Sequence, residues 1–85
     1  MKFDNRDNYI KLGLKISYYR KLKGLTQEQL AEILDMSTAF IGKIEAPNIV
    51  KAVSLDTLFE IARILDIPAY KLLFLKRTDP LDLTR

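Results

Sequence analysis

The chain has 85 residues, with 14 Lys and Arg against 11 Asp and Glu for a net charge of +3, and it contains neither Cys nor His. That length allows one domain with a modest core, and the mild basic excess is compatible with a nucleic-acid partner without requiring one. The missing residue types exclude a disulfide scaffold, a thiolate metal site and the commonest catalytic base; with no Gly-rich phosphate loop either, no catalytic residue, metal, cofactor or small-molecule ligand is expected.

Residues 1–8 form a polar lead-in in which Asp4, Asn5 and Asn8 can each cap a helix. The stretch lacks the apolar centre of a signal peptide, and no apolar run in the chain approaches the roughly 20 residues of a membrane span. A cytoplasmic protein with no membrane partner is the expectation. A first helix follows. Leu12, Ile16, Tyr19 and Leu22 recur at steps of four, three and three and so share one face, with Lys11, Lys15 and Lys21 lying largely away from it as a solvated surface. Gly24 stops this helix just after Lys21 and Lys23, where cations favour a last turn and Gly favours the exit.

Thr26 with Gln29 three positions on is a capping box, so a second helix starts there and carries Leu30, Ala31, Ile33 and Leu34. Asp35 breaks it by taking the left-handed conformation a helix exit needs. Ser37 then caps a third helix whose apolar residues are Phe40, Ile41 and Ile44. Small Ala31 beside bulky Ile41 suits two helices crossing at close range. This is a helix-turn-helix. Residues 46–53, interrupted by Pro47, read as a loop. Ser54 caps a fourth helix with Leu55, Leu58, Phe59, Ala62 and Leu65 assigned to its core face, and Pro68 opens a fifth through Tyr70, Leu72, Leu73 and Phe74. The domain is thus expected over residues 9–75, with an aperiodic tail at 76–85.

The span from Leu12 to Leu73 resembles the Xre/Cro-type, lambda-repressor-like helix-turn-helix regulators. The resemblance is carried by Arg-Lys-Leu-Lys-Gly-Leu-Thr-Gln-Glu-Gln-Leu-Ala-Glu (Arg20 to Glu32), Ile-Gly-Lys-Ile-Glu (Ile41 to Glu45) and Ser-Leu-Asp-Thr-Leu (Ser54 to Leu58). It implies an all-α, five-helix lambda-repressor-like fold that binds double-stranded DNA and regulates transcription, as a repressor. It further implies phosphate contacts from Gln27, Ser37 and Asn48, and an architectural ion pair between Arg20 and Glu45. Asp35 stands where such proteins usually have Gly, Ala46-Pro47 where they have a polar residue and Gly, and Val53 where Pro is common. The alternative is a protein-binding module of the same fold, such as an antitoxin or a coactivator, because fold alone does not separate these uses.

Independently of the resemblance, a protruding helix fits the major groove with its early residues at base edges. The outward residues of the third helix are Thr38, Ala39, Gly42 and Lys43, a base-reading set with one cation and no acid. Lys43 can donate to guanine, Thr38 can donate or accept, Ala39 can touch a thymine methyl, and Gly42 admits close backbone approach. Leu14, Tyr18, Ile61, Ile64, Tyr70, Phe74 and Leu75 exceed what a small helical core needs. Since the C-terminal part of this domain often builds the dimer contact in similar regulators, a homodimer through Tyr70, Phe74 and Leu75 is expected.

Overall fold

A computed structural model describes residues 5–73. Over that span the chain forms α1 (Arg6–Leu22), α2 (Gln27–Leu34), α3 (Thr38–Glu45), α4 (Leu55–Leu65) and α5 (Tyr70–Leu73), with no strand among the described residues. α1 starts inside the segment read as a lead-in. Asn5 occupies its N-cap without a side-chain cap, and the Asn5 carbonyl accepts the first bond, from Tyr9 N at 3.0 Å. Residues 76–85 lie outside the described residues.

The helix boundaries are set by local chemistry. The capping box is reciprocal: Thr26 Oγ1 accepts from Gln29 N at 3.0 Å, and Gln29 Oε1 accepts from Thr26 N at 2.8 Å. Ser37 Oγ accepts from Phe40 N at 3.0 Å and Ser54 Oγ from Thr57 N at 3.2 Å, so α3 and α4 open in the same way. The exits share a device too. Gly24, Asp35 and Asp66 adopt φ of 79°, 57° and 59°. After each, the next amide reaches back over the last turn: Leu25 N to Arg20 O, Met36 N to Ala31 O and Ile67 N to Ala62 O, at 3.1, 2.9 and 3.0 Å. These bonds satisfy carbonyls that a helix end leaves orphaned.

The core is built from Leu12 and Ile16 of α1, Leu30 and Ala31 of α2, Ile41 and Ile44 of α3, Leu58, Ile61, Ala62 and Leu65 of α4, and Leu72 of α5. The α2–α3 contact is the most extensive between any two helices, with α1–α3 next. Gly13 permits the latter. A Cβ there would sit 1.8 Å from the Ile44 carbonyl oxygen, so α1 meets the α3 backbone directly.

Several assignments made from periodicity fail. Leu22 is exposed because the buried row of α1 is Leu12, Ile16 and Arg20, and two residues beyond Arg20 is about 200° around the helix. Ile33 is also exposed. In α4 the buried stripe is Leu58, Ile61, Ala62 and Leu65, which leaves Leu55 a turn before the core begins and Phe59 rotated off the stripe, both more than half exposed. Lys15 moves the other way. Read as solvated surface, it is 1% exposed, since α5 packs over α1 and the Lys15 side chain lines the cleft there beside Leu12, Leu72 and Leu73. Of the apolar residues expected in surplus, Ile61 is core, Leu14, Tyr18 and Ile64 are half-buried, and Tyr70 is exposed.

Candidate nucleic-acid interface

With its start fixed by Ser37, α3 divides cleanly around its axis. Ile41, Ile44 and Glu45 are buried, while Thr38, Ala39 and Lys43 are exposed and Gly42 is half-buried. Residues three and four apart share a helix face, so Thr38, Ala39, Gly42 and Lys43 form one continuous outward patch. An eight-residue helix is about 12 Å long, comparable with the ~12 Å width of the major groove.

The inner end of α3 is held by a charged cluster. Arg20 Nε and Nη2 donate to Glu45 Oε2 and Oε1 at 2.7 and 2.8 Å, while Arg20 Nη1 donates to the Leu25 carbonyl at 2.7 Å. Both residues are buried. The forked geometry uses the guanidinium as Lys could not, and it ties the last turn of α1, the loop to α2 and the end of α3 together. The hydrogen bond to Glu45 raises the Arg20 pKa above its ordinary value against the opposing pull of burial. Gln27, the first residue of α2, joins the cluster: its Nε2 donates to Glu45 Oε1 at 3.0 Å. Among the described residues no buried side-chain nitrogen or oxygen is left without a hydrogen-bond partner.

The other candidates are more dispersed. Ser37 is exposed, its hydroxyl oxygen engaged by Phe40 N. Asn48 is exposed in the turn after α3, where Ile49 N bonds to the Ala46 carbonyl at 3.4 Å. Tyr70 stands at the start of α5, while Phe74 and Leu75 lie outside the described residues. Lys51 enters the picture only in three dimensions: its ammonium lies 5.4 Å from the centre of the Phe40 ring, against the flank of α3. No sequence pattern links those positions. Gly13, by contrast, carried a signal, since Gly inside a helical pattern often marks close packing.

Among the described residues there is no cluster of three or more His, Cys, Asp or Glu placed to hold a metal ion, and no helix is long and apolar enough to cross a membrane.

The Helix-turn-helix family model matches residues 16–72, from the middle of α1 into α5. Among solved structures, the high-resolution crystal structure of the restriction-modification controller protein C.AhdI from Aeromonas hydrophila is similar, with a TM-score of 0.74 and 30% sequence identity over 82% of this chain and 99% of that one. A search of curated proteins finds no match.

Proposed function

We propose that this chain, which belongs to the Xre/Cro-type, lambda-repressor-like helix-turn-helix family of DNA-binding transcriptional regulators, reads a specific duplex sequence by laying α3 in the major groove. The observation that carries this reading is the outward face of α3, where Thr38, Ala39, Gly42 and Lys43 present one cation and no acid. Lys43 donates to a base edge, Thr38 donates or accepts, and the small Ala39 and Gly42 let the helix approach closely. Gln27 at the start of α2, Ser37 at the start of α3 and Asn48 in the turn beyond contact phosphate, where helix N-termini already offer backbone donors. Lys51, whose ammonium lies over Phe40 of α3, is a further cation that could meet phosphate.

Control of transcription follows from occupancy. A protein seated over promoter DNA excludes polymerase, so we read its sign as repression; the likeness to a restriction-modification controller protein supports a regulatory role. We further propose that it acts as a homodimer through α5 and the residues that follow, Tyr70, Phe74 and Leu75. The exposed Tyr70 and Leu73 support this.

Selection of bound fragments from random duplex DNA tests the reading, followed by measurement of affinity against salt. The expected result is one enriched sequence, with binding that weakens steeply as salt rises. No enrichment, or an affinity equal for every sequence, would reject sequence-specific binding.

A further inference from the structure

The hydrogen bond between Gln27 and Glu45 ties the start of α2 to the end of α3 across the buried cluster, and its chemistry fixes more than a distance. A carboxylate oxygen only accepts, so the part of the Gln27 amide facing Glu45 Oε1 is the nitrogen. The amide oxygen must then point elsewhere. It lies on the α3 side, 3.7 Å from the place a Cβ would occupy on Gly42. The amide is therefore oriented through its nitrogen, by a carboxylate that Arg20 itself anchors. An amide nitrogen has two hydrogens, and Glu45 takes one.

We infer that Arg20 and Glu45 are positioning residues for DNA binding, which act through Gln27 by fixing its amide so that the second N–H is presented to a backbone phosphate. This rests on the reading of α3 as the groove-bound helix, because in that geometry the helix before it crosses the DNA backbone. The ion pair then has a part in affinity beyond holding the fold. A free Gln side chain surrenders rotamer freedom on binding, whereas this one is ordered beforehand by the protein.

The test uses Gln27→Met, which keeps the length and apolar stem of the side chain but has no donor, with Glu45→Gln and the double variant beside it. For Gln27→Met the expected result is a small fall in melting temperature, from the lost hydrogen bond to Glu45, and a roughly tenfold loss of affinity for the selected duplex, about 1.4 kcal/mol. The slope of log affinity against log salt stays that of the parent, since no cation has been removed. Glu45→Gln weakens binding in the parent but adds nothing in the Gln27→Met background, because both act on the same contact. Gln27→Met binding as tightly as the parent overturns the inference, and so do additive losses in the double variant, which would mark Glu45 as purely structural. If Glu45→Gln fails to fold, Arg20→Lys, which keeps the charge but loses the fork that anchors Glu45, takes its place in the same cycle. Failure of the unaltered chain to bind any duplex would instead reject the DNA-binding reading beneath it.

Discussion

Two glycines inside helices answer to different constraints. At Gly13 the nearest atoms to an added Cβ belong to the Ile44 carbonyl, at 1.8 and 2.9 Å. Backbone cannot rotate aside as a side chain can, so Gly13→Ala must push α1 off α3. Overpacking costs about 1–3 kcal/mol in a well-packed core, and we expect at least that loss in denaturant unfolding. Gly42 is the converse case. Its added Cβ would meet only Gln27 Oε1 at an ordinary 3.7 Å, and replacing Gly by Ala within a helix gains roughly 0.5–1 kcal/mol. Gly42→Ala should therefore raise the melting temperature while lowering affinity for the selected duplex; a stabilised variant with undiminished affinity would remove Gly42 from the DNA face. The Arg20–Glu45 pair is also decided at this scale. Because both residues are 7% exposed, removing either strands a buried charge, at about 3–5 kcal/mol. Arg20→Ala and Glu45→Ala should each destabilise the fold by amounts that do not add. Additive losses in the double variant would show that the two do not act as a unit.

The elements show why some of this could be read from sequence and some could not. Capping is chemistry within three or four residues, so Thr26 with Gln29, Ser37, Ser54, Gly24 and Asp35 announce helix ends that the structure places at those residues. Burial depends on what arrives opposite, which periodicity does not state. Lys15 is buried beside the cleft where α5 meets α1, and Leu55 and Phe59 are exposed, off the buried stripe of α4. Contacts such as Gln27 to Glu45 and Lys51 to Phe40 join residues with no shared local pattern, and the pairing of Arg20 with Glu45 is legible only through the family resemblance. The α2–α3 unit, legible in sequence, makes two stability predictions. Ala31 is 2% exposed within the α2–α3 packing, and Ala31→Leu should cost ~1–3 kcal/mol by forcing those helices apart. An unchanged melting temperature would exclude a close crossing there. Asp35 holds φ at 57°, a region where L side chains are strained and Gly is not. Asp35→Gly should therefore stabilise by up to about 1 kcal/mol, and Asp35→Val should destabilise, as thermal unfolding of the pair would reveal.

On the scale of the whole molecule, a net charge of +3 is too small to bind DNA tightly by attraction alone, so the placement of individual cations matters. Lys43→Ala should change which sequences are selected, whereas Lys51→Ala should weaken all duplexes alike and reduce the salt slope by about 1, the separation expected between a base contact and a phosphate contact. The same economy bears on assembly. A good base contact is worth about 1–3 kcal/mol, while specific sites exceed non-specific DNA by about 4–10 kcal/mol. One α3, with a single cation and three small side chains on its outward face, falls short of that range. Twofold symmetry doubles the contacts without a new surface, and Tyr70 and Leu73, both about half exposed on α5, offer apolar area for it. We therefore expect a homodimer bound to two half-sites roughly 34–36 Å apart, one turn of the duplex. Sedimentation should give a dimer, Tyr70→Asp should shift it toward monomer and weaken operator binding together, and the selected sequence should be palindromic. Monomers alone, both free and at one protein per operator, would overturn this assembly and leave α3 to supply specificity unaided.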